Sequence, residues 1–230
     1  MIRLVTFDLD NTLWETDNTI RRAESEMRAV FSRRVPDFSD RFDFHATQAL
    51  REQVIADTPE IAHDVSRLRT EALFRAAREC GCSEDDARAY AEEAFDVFLD
   101  ARHRISYLDG ALDLLKTLKP RYILVSLTNG NADFLRLGLD RFFSFGFTAA
   151  DVGAMKPHRA MFDAALEQAG IAASNAVHVG DQPIDDVQGA KDVGMHTIWF
   201  NPQGAKDPVG ASAQVRRLRE IPRAIARLED

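Results

Sequence analysis

Two cysteines in 230 residues, Cys80 and Cys82, are too few to staple a fold with disulfides. As a lone C-x-C around Gly81 they also lack the second ligand pair of a zinc site, and both read as ordinary thiols near a helix end. Basic residues are outnumbered, with 29 lysines and arginines against 37 aspartates and glutamates and a formal net charge of -8. Nucleic acid or an anionic membrane would need a concentrated basic surface, and the short cluster Arg216-Arg217-Leu218-Arg219 reads instead as the solvated face of a helix. No apolar run approaches the roughly 20 residues of a membrane helix, and the start lacks a basic-then-apolar leader pattern. The expectation is a cytoplasmic protein without nucleic-acid or membrane partners. Repeats and low-complexity tracts are missing, and no feature sets an oligomeric state.

What is present is an ordinary globular composition, 45% hydrophobic and 29% charged, enough for one large core or a core with an insert. Leu4 to Asp8, Tyr122 to Thr128 and Ala176 to Gly180 are apolar, partly β-branched runs that stop abruptly at polar residues or glycine, the pattern of buried parallel strands. Weaker strands fall at Phe145 to Thr148 and His196 to Phe200. Helices between them are expected at Gly110 to Leu118, Ala132 to Leu137, Arg159 to Ala169 and Asp186 to Val193, and strand alternating with helix predicts an α/β, doubly wound parallel sheet. From Asp17 to His103 the pattern is helical, with Ile61, Val65, Leu68, Ala72 and Phe74 as periodic apolar residues and Pro36 to Asp43 as a loop. Helices are expected there at Thr19 to Ser32, Ala46 to Ala56, Glu60 to Cys80, and Asp85 to Arg102 after an N-cap at Ser83. The predicted division is a core of residues 1–16 and 104–230 with a helical insert of residues 17–103, placed to act as a lid. A last packing helix is expected over Ala211 to Leu228.

Polar residues cluster where the strands end. Asp8 and Asp10 follow the first strand, and two carboxylates beside an apolar core persist when a cation or partner neutralises them. In open α/β sheets ligands bind at these carboxyl ends. Thr128 and Asn129, Lys156-Pro157, and Asp181 with Asp185-Asp186 are brought to the same edge if the strands are parallel. Three acidic clusters suit octahedral, oxygen-seeking Mg²⁺. Thr128 offers a hydroxyl to a phosphoryl oxygen, Lys156 a positive charge, and a carboxylate can serve as nucleophile through an aspartyl-phosphate. His178, inside the strand before Gly180, reads as a satisfied core histidine, and Trp14, Phe98 and Trp199 as packing residues.

The ordered set F-D-L-D-N-T-L, T-N-G, K-P and G-D-Q-P-I-D-D, spanning Phe7 to Asp186, resembles the four motifs of the haloacid dehalogenase (HAD) superfamily, and the helical insert is similar to its type 1 cap. The resemblance implies a Rossmann-like HAD core and a Mg²⁺-dependent phosphatase acting on a small-molecule phosphate ester. It further implies that Asp8 attacks phosphorus, while Asp10 protonates the leaving oxygen and then activates water. Asp8, the Asp10 main-chain carbonyl and Asp181 would hold the metal, Thr128, Asn129 and Lys156 the phosphate. Asp185 or Asp186, without a choice between them, would orient metal-bound water or Lys156. Members that act as 2-haloacid dehalogenases usually replace the second aspartate, so retention of Asp10 favours phosphate chemistry. A non-catalytic binding protein on the same fold is the alternative from another class.

In the insert, His63 and Arg67 lie four apart on one expected helical face and could contact an anionic part of a substrate, or merely face solvent. Trp14 could stack on an aromatic leaving group. The segment P-E-I-x-H-D-V-x-R and T-N-G-N-A are similar to a bacterial subgroup that dephosphorylates flavin mononucleotide and the ribitylaminouracil phosphate of riboflavin synthesis. That likeness implies a flavin or riboflavin-pathway phosphate, with nucleotide and sugar phosphates as alternatives.

Overall fold

The computed structural model describes residues 1–229, so Asp230, the last residue of the expected core range, lies outside the described residues. The chain divides into two compact units, Met1–Thr16 together with the chain from Ile105 onward, and Asp17–Arg104. The first unit is built on six strands, β1 (Leu4–Phe7), β2 (Ile123–Thr128), β3 (Phe145–Thr148), β4 (Ala176–Gly180), β5 (His196–Phe200) and β6 (Ala213–Val215). All pair in parallel, in the order β3-β2-β1-β4-β5-β6. β1 is central and fully buried, which explains why its residues are apolar without alternation.

Register places the chemistry. Phe7 sits opposite Ser126 of β2 and Val179 of β4, so the three strands reach their carboxyl ends at nearly the same level. The residues that follow, Asp8, Thr128 and Asp181, therefore emerge on one edge. The period of two sends Val5 and Phe7 to one face of the sheet, with Leu115 and Ile225, and Leu4 to the other, with Val125, Met161 and Phe162.

The second unit is helical: α1 (Asp17–Arg34), α2 (Phe38–Arg41), α3 (Phe44–Asp57), α4 (Val65–Glu79) and α5 (Glu84–Arg102). Its own core gathers Met27, Phe31, Leu73, Ala94 and Phe98. Ser83 caps α5, its side chain accepting from the Asp86 N–H. The segment expected as a loop at Pro36 to Asp43 contains α2, because Phe38 and Phe42 are buried and Phe38 packs edge-on against Phe31 at 4.7 Å. α4 begins at Val65 rather than Glu60, since the Asp64 carboxylate accepts from the Ser66 and Arg67 N–H groups and ends the preceding turn Pro59–Ile61. Cys80 and Cys82 are half-buried free thiols at the end of that helix. Among the described residues no helix is long and apolar enough to cross a membrane.

Helices of the first unit are α6 (Ala111–Leu118), α7 (Ala149–Val152), α8 (Ala160–Ala169), α9 (Gly189–Asp192) and α10 (Ile221–Glu229). Three expectations need correction. Ala132 to Leu137 is turn rather than helix: the Asp133 side chain takes the Arg136 N–H, and Gly138 follows at φ 61°. The fourth-motif helix starts at Pro183 with a π-helical stretch to Gln188, ahead of α9. The expected helix Ala211 to Leu228 is split, because Ala213 to Val215 pair with Ile198 to Phe200 as the edge strand and helix begins only at Ile221, with Pro222 in its first turn. Arg216 and Arg217 consequently lie between strand and helix and not on a helical face.

Candidate active site

Asp8 is the first residue beyond β1 and is only 7% exposed. Burial pushes its carboxyl well above the usual carboxylate range; Lys156 opposes this, and Asp186, Asp181 and Asp10 reinforce it. Lys156 spends all three N–H donors inside the protein, on Asp8 Oδ1 at 2.8 Å, Asp186 Oδ1 at 2.6 Å and the Leu127 carbonyl at 2.8 Å. Burial alone would lower its ammonium, but Asp186 and Asp8 hold it above the ordinary lysine value. What Lys156 offers a phosphoryl group in this arrangement is charge and not a spare hydrogen bond.

Asp186, and not Asp185, is the partner of that lysine. Its Oδ1 also receives His178 Nε2 at 3.1 Å, and its Oδ2 accepts from the Gln182 N–H at 2.9 Å. Burial works against its charge, yet Lys156 and His178 keep it far below the ordinary value. His178 Nδ1 meets Thr6 Oγ1 at 2.7 Å, and burial lowers the imidazole, which is therefore neutral and donates through Nε2. Gly180 makes room for the carboxylate: a Cβ there would stand 2.2 Å from the Asp186 carboxyl carbon. Asp185 is half-buried, its Oδ2 3.4 Å from Asn129 Nδ2.

Asn129 is tied to Lys156. Its carboxamide clamps the Lys156 backbone, Oδ1 accepting from N–H at 2.7 Å and Nδ2 donating to the carbonyl at 3.0 Å. Its side chain is therefore a positioner of Lys156. Thr128 accepts the Gly130 N–H at 2.9 Å, which leaves its O–H to donate into the cleft.

Asp10 belongs to a tightly closed loop. Asn11 takes the left-handed conformation, φ 60°, its Oδ1 accepting from the Thr16 N–H at 2.9 Å. Asp10 Oδ1 receives two donors, Trp14 Nε1 at 2.8 Å and Thr16 Oγ1 at 2.9 Å. Trp14 is 0% exposed and packs edge-on against Tyr107, so the expected stacking of its ring on a leaving group is excluded. In the helical unit, His63 is half-buried in the turn before the Asp64 cap, whereas Arg67 is exposed in the first turn of α4. The expected shared helical face of these two residues does not form.

The cleft has a volume of about 160 Å³ and brings Asp8, Asp10, Asp181, Asp185 and Asp186 around a single lysine, Lys156. That volume is an order of magnitude above the roughly 15 Å³ one water needs. Carboxylate oxygens of Asp8, Asp181 and Asp186 lie within 4.8 Å of one another. Asp181, held by Thr12 Oγ1 at 3.3 Å and Gln182 Nε2 at 2.5 Å, is pushed up to about 6 by burial and by Asp186. Trp199 donates to its main-chain carbonyl at 2.8 Å. Two desolvated carboxylates that one ammonium does not satisfy, offering hard oxygen donors, fit a Mg²⁺-type dication; Asp186, whose oxygens are already taken, fits less well as a ligand.

Comparison with known proteins places this geometry. The 5-amino-6-(5-phospho-D-ribitylamino)uracil phosphatase YigB of Escherichia coli is 35% identical over 202 residues, 88% of this chain and 84% of its own. The crystal structure of a 2-haloacid dehalogenase from Pseudomonas syringae pv. Tomato superposes with a TM-score of 0.94 at 40% identity, covering 99% of each chain. The magnesium-bound hydrolase YfnB of Bacillus subtilis shares the fold, with a TM-score of 0.68 at 19% identity over 98% and 99% of the two chains. The profile of the haloacid dehalogenase-like hydrolases matches residues 2–194, a span that includes every side chain of the cleft, and the chain belongs to that family.

Proposed function

We propose that this hydrolase is a Mg²⁺-dependent phosphatase that cleaves small phosphomonoesters through an aspartyl-phosphate on Asp8. The observation that carries the reading is the different setting of the two first-motif carboxylates. Asp8 is buried against an ammonium, and Asp10 is aimed by an indole and a hydroxyl. In the first half-reaction an Asp8 oxygen bonds to phosphorus, the bond from phosphorus to the ester oxygen breaks, and Asp10 passes its proton to that oxygen. In the second, Asp10 takes a proton from water as the water oxygen bonds to phosphorus and the Asp8 ester bond breaks, releasing phosphate. Asp8, the Asp10 carbonyl and Asp181 would hold the metal, which when bound supplies charge neutralisation for the phosphoryl oxygens. Lys156 favours the ionised form of Asp8 against its burial, and the Thr128 hydroxyl donates to a phosphoryl oxygen.

Among substrates we favour a riboflavin-pathway phosphate, on the 35% identity with the E. coli ribitylaminouracil-phosphate phosphatase YigB. The helical insert enters the chain directly after the nucleophile loop, and we assign leaving-group selection to it on that connectivity alone. A panel of phosphate esters with Mg²⁺ tests this: flavin mononucleotide and the ribitylaminouracil phosphate should lead, and simple sugar phosphates ranking equal would remove the flavin assignment. The dehalogenase reading is favoured by the name of the P. syringae structure. Displacing halide from carbon needs neither a leaving-group acid nor a metal, so metal-independent halide release from a 2-haloacid would replace the phosphatase reading.

The raised Asp181 carboxyl gives a metal test without turnover. A carboxyl lifted to about 6 in the folded state favours folding fully below the unfolded value near 3.8 and loses that contribution as pH rises through 6. Metal-free protein should lose thermal stability between about pH 5 and pH 7.5, and saturating Mg²⁺ should restore it chiefly at the upper end, by about 5 °C. An equal Mg²⁺ effect at both pH values, followed by scanning fluorimetry, would exclude Asp181 as a ligand.

A further inference from the structure

The peptide unit that joins Asp181 to Gln182 is held at both ends by side chains. Its carbonyl accepts the indole N–H of Trp199 at 2.8 Å, and its N–H donates to Asp186 Oδ2 at 2.9 Å. Both donors are N–H groups that do not titrate in this range, so the clamp is the same whatever the charge on the Asp181 carboxyl. The anchors are themselves fixed. The ladder between β4 and β5 ends at the pair of Gly180 and Trp199, which sets the tryptophan beside the residue before Asp181, and its ring is buried. Asp186 is held through its other oxygen by Lys156 at 2.6 Å and His178 at 3.1 Å, and its carboxyl fills the space that a side chain at Gly180 would need. Because a peptide unit is planar and rigid, anchors at its two edges fix its orientation, and with it the direction in which Asp181 carries its side chain. Thr12 Oγ1 then reaches the carboxylate at 3.3 Å.

We propose that Trp199 is a positioning residue for the metal site, which orders Asp181 through its main chain before the ion arrives. The inference rests on the assignment of Asp181 as a metal ligand under the phosphatase reading. Mg²⁺ demands near-ideal octahedral geometry and gives up its waters reluctantly, so a ligand that must first be ordered weakens its binding. Ca²⁺ accepts irregular shells and tolerates a ligand that wanders. Groups that orient a ligand without touching the ion govern a factor of about ten or more in metal affinity. Trp199 is the usable probe of the clamp, because its bond is to main chain and its loss alters no charge in the cleft, whereas Asp186 is also the partner of Lys156. A ring that reads as packing thereby ties the aim of Asp181 to the order of the sheet.

Titration calorimetry of metal-free protein with Mg²⁺ and with Ca²⁺ tests this without turnover. Trp199→Phe keeps a ring in the core and removes the N–H. Its dissociation constant for Mg²⁺ should rise about tenfold, and that for Ca²⁺ by less than about threefold. A merely structural tryptophan would weaken both ions alike or neither. Equal losses, a larger loss for Ca²⁺, or no loss would overturn the inference. Wild-type protein that binds Mg²⁺ no better than Asp181→Asn would remove the metal assignment itself, and the inference with it.

A second measurement uses the wild type alone, and it decides the matter where the variant fails to fold or Ca²⁺ binds too weakly to titrate. A clamp made before the ion arrives protects the Gln182 amide in metal-free protein. By hydrogen exchange that amide should be at least about a hundredfold slower than an unstructured one without any Mg²⁺ present. An amide that exchanges freely until Mg²⁺ is added would overturn the inference even if the calorimetric difference between the two ions were found.

Discussion

Replacing Lys156 with methionine is expected to destabilise the protein by about 3–5 kcal/mol and to abolish turnover. The size follows from what the substitution leaves behind. Lys156 is 3% exposed, and its removal strands Asp8 and Asp186 beside Asp181 in a cleft that no other lysine or arginine lines among the described residues. Breaking a buried pair from one side costs more than the pair itself contributes, because the remaining charge is desolvated and unmet. The sign of the pH dependence adds a control. Asp186 is held far below its ordinary value in the intact protein, so its contribution is complete above the unfolded carboxylate value and is lost as pH falls through the folded one. The gap between wild type and variant, from urea unfolding of metal-free protein, should be widest near neutrality and shrink in acid. A gap under about 1 kcal/mol at neutral pH would mean that the lysine is not the site's charge balance.

Asp8→Asn is expected to do the reverse, removing turnover and sparing the fold. Loss of a nucleophile on this scale is at least about a thousandfold in kcat. Asparagine keeps the size of the side chain and an oxygen for Lys156, and it removes a charge that burial and three neighbouring carboxylates disfavour. Thermal unfolding should therefore be unchanged or slightly later, while phosphate release falls to background. A variant that retains turnover would place the nucleophile elsewhere.

The parts of this site that were legible in sequence are those set by backbone periodicity. Leu4 to Phe7 and Ala176 to Gly180 are apolar because both faces of their strands are covered, and the acids that follow must lie at the sheet edge. What sequence does not specify is where a side chain spends its hydrogen bonds. Asn129 sits beside Thr128 in the chain yet serves Lys156, and Trp14 reads as either a packing residue or a stacking platform, with no sign in sequence that its N–H goes to Asp10. His178 read as a satisfied core histidine, and it is one, but the group that satisfies it is the acid that holds the lysine. The adjacent Asp185 and Asp186 separate only once Gly180 opens space for one of them. At the element level, Ala132 to Leu137 carries helical periodicity that side-chain bonding by Asp133 and the turn at Gly138 defeat. β6 was hidden because a three-residue edge strand is too short to show a period of its own.

The central claim is that phosphorus is transferred to Asp8 before it reaches water. Asp10→Asn protein should form the acyl phosphate from p-nitrophenyl phosphate, which leaves without an acid, and then fail to hydrolyse it for want of a base. Acid-quenched mass spectrometry of this variant should place one phosphoryl group on the peptide containing Asp8, and none when Asp8→Asn is added. A phosphoryl group on any other residue, or stoichiometric phosphate release by the double variant, would contradict the account.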